Sequence, residues 1–307
     1  MSALHPIVAV TGSSGAGTTS VRTAFARIFA DAGVRAAWIE GDSYHRYDRV
    51  EMAREVAAAA AANRDLTHFG PDGNLFDELE RLVRTYAATG AGRHRHYLHT
   101  QTDAEQHGGE PGSFTAWASL PADTDLLFYE GLHGALVTDI YDVARYVDLT
   151  IGVVPIINLE WIQKIHRDEA VRGYSKEAAT DMILRRMPDY VHYICPQFSR
   201  TDINFQRVPT IDTSNPFTAG AIPTNDESLV VIHIANPPKI RPDYPALLES
   251  LTGSFQSRPD TLVVPASEHV TAMQLLLNPV IARLMERRDR ARCAPSEQGR
   301  DSVKRDA

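Results

Sequence analysis

Apolar positions along the chain fall into two rhythms. Ile7 to Val10, Ala36 to Ile39, Leu126 to Gly131 and Val147 to Val154 are short runs with β-branched and aromatic residues, the pattern of strands covered on both faces of a parallel sheet. Between them the apolar residues space out helically: Val21, Ala24, Phe25, Ile28 and Phe29, then Leu75, Leu79, Leu82, Val83 and Tyr86, then Leu159, Ile162 and Ile165. Alternation of the two rhythms predicts an α/β fold with a mostly parallel central sheet and helices on both faces. Gly33 and Gly173 stand where two of the helices should end. Ser228 to Ile234 and Thr261 to Val264 read as further strands, and Val270 to Met285 as a closing amphipathic helix. Arg93 to His99 alternates like a β-ribbon. The alanine run Ala57 to Ala62 reads as helix surface or a weakly constrained segment, and Gln106 to Ser113 as a loop. From Thr201 to Pro209 and from Asp212 to Pro216 turn formers dominate. Arg287 to Ala307 is charged with few apolar residues and is expected to be a disordered tail, leaving one domain over residues 1–286.

Composition narrows the possibilities only a little. The 307 residues are 43% hydrophobic and 23% charged, an ordinary globular balance. No run approaches the length of a membrane span, and the N-terminus lacks the regions of a signal peptide. The two cysteines, Cys195 and Cys293, lack metal-site spacing, so a cytoplasmic location is expected. The net charge of −8 argues against nucleic-acid binding. Any phosphate site must therefore be local.

Such a site is written at the first strand. After Val10 the chain reads Thr11-Gly12-Ser13-Ser14-Gly15-Ala16-Gly17-Thr18-Thr19-Ser20, a glycine-rich loop running into a helix N-terminus, where backbone N–H groups and the helix dipole favour an anion. The spacing follows G-x-x-x-x-G-K-[ST], with Thr19 as the hydroxyl for Mg²⁺, except that Thr18 occupies the lysine position. The glycines give G-x-x-G-x-G rather than the dinucleotide pattern. Without that lysine, cationic charge must come from elsewhere.

Two carboxylates stand at strand ends. Asp42 follows Ala36 to Glu40 and reads either as a turn cap or as a general base or Mg²⁺ ligand; Glu130 closes the Leu126 strand, where acidic residues commonly assist Mg²⁺. Cations gather further on. Asn158 to Arg172 predicts a helix with Lys164, Arg167, Asp168 and Arg172 on or near its polar face, and Ala178 to Arg186 a second, bearing Arg185 and Arg186. The plain reading is a solvated face with an Asp168 to Arg172 pair. The functional one is a helical lid, about residues 158–190, that supplies the charge the loop lacks.

Taken in order, Gly12 to Thr18, Glu40-Gly41-Asp42 with His45, Phe128-Tyr129-Glu130-Gly131-Leu132-His133-Gly134, Asn158 to Asp168, and Thr201 to Arg207 resemble the bacterial phosphoribulokinases over roughly residues 5 to 285. Those enzymes also carry threonine in the lysine position. The resemblance implies a P-loop kinase, a three-layer sandwich with a lid, that phosphorylates ribulose 5-phosphate with ATP and Mg²⁺ to give ribulose 1,5-bisphosphate in the Calvin cycle. It assigns Asp42 as base, Gly12 to Ser20 to the nucleotide, and Lys164 and Arg167 to its phosphates. His45, Arg49, Tyr97, His99 and Arg172 fall to the sugar phosphate, and Thr19, Glu130 and Asp42 to the metal. A homo-oligomer, octameric by resemblance, and NADH or AMP as effector are implied too. Three departures stand out: Ala53 where a lysine is usual, Ala16 where plant-type enzymes carry cysteine, and Asp31 and His233 where two effector arginines are expected, Arg258 matching a third. A uridine- or pantothenate-type kinase shares part of the pattern. A nucleotide-sensing subunit without turnover is the reading from another class; the carboxylates at Asp42 and Glu130 speak against it.

Overall fold

A computed structural model describes residues 2–12 and 18–293. Ser13, Ser14, Gly15, Ala16 and Gly17 lie outside the described residues, as do the side chains of Thr18, Thr19, Ser20 and Arg172. In chain order the elements are β1 (Ile7–Gly12), α1 (Thr18–Asp31), β2 (Ala36–Glu40), α2 (Arg49–Ala61), α3 (Phe76–Thr89), β3 (Arg93–His94), α4 (Gln101–His107), β4 (Ala118–Ser119), β5 (Leu126–Gly131) and β6 (Leu149–Pro155). Then come α5 (Ile157–Arg172), α6 (Lys176–Asp189), β7 (Ile203–Pro209), β8 (Ser228–His233), α7 (Pro237–Ile240), α8 (Tyr244–Ser250), β9 (Phe255–Arg258), β10 (Thr261–Pro265) and α9 (His269–Cys293).

The main sheet has eight strands in the order β2-β5-β1-β6-β7-β8-β10-β9. The first five run parallel and the last three alternate antiparallel. Strand alternation explains the three layers. On β1, Val8 and Val10 join Phe25, Phe29 and the α9 residues Met273, Leu277 and Ile281 in one core, whereas Ile7 and Ala9 join Leu79, Val83 and Tyr86 of α3 in another. Both clusters are nearly dry, so every β1 residue is covered on its own side. The helices α5 and α6 carry a small core of their own, Ile165, Ala179 and Ile183 with Trp161 and Phe217. Gly173, at φ 69°, turns the chain out of α5, and Ser175 caps α6 by accepting from Ala178 N.

Three expectations need correction, and one open alternative is decided. Thr201 to Pro209 is not a chain of turns but contains β7, an interior strand. Its polar residues are satisfied from a distance: Asp202 accepts from Thr150 N, Asn236 and Lys239, and Asn204 donates to Phe198 O. The Arg93 to His99 ribbon is broken rather than continuous: Arg93 and His94 pair with Ser119 and Ala118 and Tyr97 bridges Phe114, but between them Arg95 turns back onto Ser43 O and His45 O, and Leu98 is buried. The alanine run belongs to α2, fixed by a capping box between Asp48 and Glu51. The closing helix continues through Cys293, well into the segment expected to be disordered. Arg287 there pairs with buried Asp148, and Arg288 with Asp125 at 2.6 Å; residues 294–307 lie outside the described residues.

Candidate active site

The carboxyl ends of β2, β5, β1 and β6 meet along one edge, where open parallel sheets gather their ligands. At β1 the chain leaves through Gly12, packed so tightly on β6 that an added Cβ would stand 2.7 Å from Val153 O. The next described element is α1, which starts at Thr18. Gln197, fully buried and absent from the sequence expectations, braces this corner: its Oε1 lies 2.9 Å from the Thr11 hydroxyl and accepts from Ala135 N, and its Nε2 donates to Leu132 O and Tyr193 O.

β5 separates β2 from β1, which brings Glu40 and Glu130 side by side in register. Arg22 of α1 pairs with Glu40 at 2.7 Å. Burial pushes the Glu130 carboxyl up to about 7, with Arg22 opposing the rise and Glu40 and Asp42 adding to it. Carboxylates thus gather at the carboxyl ends of β2 and β5, which is what a site for a divalent cation needs. Among the described residues no three His, Cys, Asp or Glu side chains form a ready-made metal cage; Mg²⁺ is commonly held by one or two carboxylates, substrate phosphates and water. Beyond Glu40 the chain passes through Gly41, where a Cβ would meet Tyr129 Oη at 2.6 Å and Gly131 Cα at 2.8 Å.

Asp42 therefore projects from a tight corner, and two imidazoles meet it. His45 Nε2 lies 3.2 Å from Oδ1 and His99 Nε2 3.4 Å from Oδ2. Burial works to raise the Asp42 carboxyl, but His45, His99 and His68 outweigh it and hold the group well below the usual carboxylate range. Burial works to lower His45, yet Asp42 and the hydrogen bond to Asn74 raise it above its ordinary value. Tyr97 stacks edge-on to His99 with ring centroids 4.8 Å apart, and Arg49 donates to His99 O at 3.1 Å. Asp42, His45, Arg49, Tyr97 and His99, expected together, are together.

The lid is built differently from the expectation. Asp168 is fully buried rather than part of a solvated face, and its carboxylate is bonded to Lys164, with Arg167 Nε 3.7 Å away. Burial pushes the Lys164 ammonium down to about 8, with Arg186 adding to the fall and Asp168 opposing it. Arg186 also bears on His45, which makes it the charged group common to the lid and the acceptor cluster. Its guanidinium lies 5.9 Å from the Phe69 ring centroid, and next to it Asp189 accepts from the Thr67 hydroxyl at 2.6 Å. The sequence carried no signal for this contact between the lid and residues 67–70, because the partners are 122 positions apart.

Comparison with known proteins agrees with this geometry. Residues 7–214 match the model of the phosphoribulokinase/uridine kinase family. The chain is 60% identical over 292 residues to the chromosomal phosphoribulokinase of Cupriavidus necator, covering 95% of this chain and 99% of that one. It is 58% identical over 288 residues to the phosphoribulokinase of Nitrobacter vulgaris, covering 94% and 99%. Among solved structures, phosphoribulokinase from Rhodobacter spheroides superposes with a TM-score of 0.86 at 51% identity, over 94% of this chain and all of that one.

Proposed function

This chain belongs to the phosphoribulokinase/uridine kinase family, and from that premise we propose that it transfers the γ-phosphoryl group of ATP to a hydroxyl of ribulose 5-phosphate, giving ribulose 1,5-bisphosphate in the Calvin cycle. The observation that carries the reading is 60% identity sustained over 292 residues, which takes in the loop, the acceptor cluster and the lid. An assay of ATP consumption with ribulose 5-phosphate, uridine and pantothenate as acceptors tests it. Turnover with ribulose 5-phosphate alone is expected; preference for uridine or pantothenate would overturn it.

In this reading Asp42 accepts the proton of the attacking hydroxyl. Held ionised by its imidazole partners, it is a ready acceptor and a weak base, which fits phosphoryl transfer. The transition state is loose, and the hydroxyl proton becomes acidic only as its oxygen bonds to phosphorus. Its partners His45 and His99, with Arg49 and Tyr97, line the acceptor's side, and the cations among them suit a sugar phosphate. Glu130, Asp42 and the Thr19 hydroxyl would hold Mg²⁺ at the nucleotide, and the ion would neutralise charge on the transferring phosphate. The loop motif assigns residues Gly12 to Ser20 to the ATP phosphates, which backbone N–H groups at a helix N-terminus favour. The lid residues Lys164 and Arg167 supply the cationic charge absent at Thr18, and the family resemblance assigns Arg172 to the sugar phosphate. Asp168 orients Lys164 and keeps it protonated against burial.

A cytoplasmic homo-oligomer, octameric by family resemblance and answering to NADH or AMP, completes the proposal. Among the described residues no helix is long and apolar enough to cross a membrane.

A further inference from the structure

Asn74 takes no part in the reaction as described, yet it is 1% exposed and every polar atom of its side chain is engaged. Its Nδ2 donates to His68 O at 2.8 Å and Gly70 O at 2.7 Å. Two carbonyl acceptors on one atom identify it as the amide nitrogen, so the opposite atom is Oδ1 and can only accept. That oxygen lies 2.9 Å from His45 Nδ1, which must therefore donate to it. The ring is buried, stacks on His68 with centroids 4.2 Å apart, and presents its remaining nitrogen, Nε2, to Asp42. Free imidazole has no such orientation, and a half-turn about the Cβ–Cγ bond would swing both nitrogens away from their partners.

The carbonyls that hold Asn74 are themselves anchored. Thr67 Oγ1 bonds Asp189 of α6 and accepts from Phe69 N, and Phe69 O accepts from His133 Nε2 at 3.0 Å. A Cβ on Gly70 would strike the Asp189 carboxylate at 2.8 Å, so this loop has little room to shift. A rigid loop fixes the amide, the amide fixes the ring, and the ring meets the carboxylate. We propose that Asn74 is a positioning residue for the acceptor site: by accepting from His45 Nδ1 it sets the ring's orientation and aims Nε2 at Asp42. This rests on the assignment of His45 and Asp42 to the acceptor site made above.

The test is a double-mutant cycle of Asn74→Ala and His45→Ala, with ribulose 5-phosphate and ATP varied separately and folding followed by thermal melting. Asn74→Ala is expected to lower kcat/KM for ribulose 5-phosphate about tenfold, the worth of one hydrogen bond to a charged group, while KM for ATP stays within about twofold. In the His45→Ala background the same change should cost less than about twofold, since partners in one network are not additive. A full additional loss in the double mutant would mean that Asn74 is only loop architecture, and the proposal fails while the site assignment stands. If His45→Ala itself leaves the sugar kinetics unchanged, the assignment fails and the proposal with it. Should Asn74→Ala not fold, nitrogen-15 histidine spectra of the wild-type enzyme decide: His45 Nδ1 is expected to carry a proton throughout the active pH range, and a bare Nδ1 there overturns the proposal.

Discussion

At the scale of single residues, the Asp42 and His45 pair has a definite signature in pH. The Asp42 carboxyl is held below its ordinary value of 3.8, so its contribution to stability is present above 3.8 and is lost as pH falls through the folded value. His45 is raised above 6.5, so its contribution is complete below 6.5 and is lost as pH rises through its folded value. The stability difference between wild type and Asp42→Asn should therefore be widest between pH 3.8 and pH 6.5. Urea titrations across that range measure it, and a flat difference would count against the pairing. Kinetically, Asp42→Asn should lower kcat by roughly 10²–10⁴-fold with substrate binding nearly intact, and Glu130→Gln should shift the Mg²⁺ dependence instead. Relief of the Asp42→Asn defect by extra Mg²⁺ would move Asp42 from base to metal ligand. Close by, Gly41→Ala is expected to destabilise the protein by about 1–3 kcal/mol, as overpacking does, because its Cβ has only the Tyr129 hydroxyl and the Gly131 backbone to meet. An unchanged denaturation midpoint would show that the β2 and β5 ends can part.

At the scale of elements, the proposed lid matters because α5 sets Lys164 and Arg167 against one buried carboxylate, Asp168, and α6 brings the charge of Arg186 to bear on Lys164. A fully buried charge keeps its place only when paired, so Asp168 ties the cations to the lid's interior. Arg167→Ala should cut turnover by roughly a hundredfold, comparable to loss of a preorganised donor to transition-state charge, with circular dichroism unchanged. Near-normal turnover in the folded variant would place the missing loop charge elsewhere.

At the scale of the whole molecule, the C-terminal helix fastens the sheet's far edge. Arg287 reaches Asp148, whose side chain is wholly buried and also accepts from Ile7 N, and Arg288 is buried against Asp125, which in turn accepts from Arg35 N. Truncation after Glu286 should thus lower stability by about 1–3 kcal/mol, the cost of leaving a buried acceptor partly unpaired. Truncation after Cys293 keeps both pairs and is the control. Equal melting temperatures for the two truncations would return residues 287–293 to the role of a tail.

Much of this protein was legible in the chain itself. The strands β1, β2, β5 and β6, the helices α1, α3, α5 and α6, and the acidic strand ends at Asp42 and Glu130 follow from periodicity and local chemistry, because full burial of a parallel sheet imposes apolar runs that few other structures share. Family resemblance supplied the grouping of His45, Arg49, Tyr97 and His99, which spacing alone would not. Only the tertiary structure decided the rest. β7 was hidden because Asp202 and Asn204 look like turn residues until partners up to 52 positions away satisfy them. Asp168 looked solvated because one-dimensional spacing cannot say which side of α5 meets α6. Asn74 carried no signal at all: its value lies in one carboxamide oxygen whose direction is set by two carbonyls of a folded loop. Hydrophobic pattern is a property of the chain, whereas the pairing of polar groups is a property of what folding brings beside them.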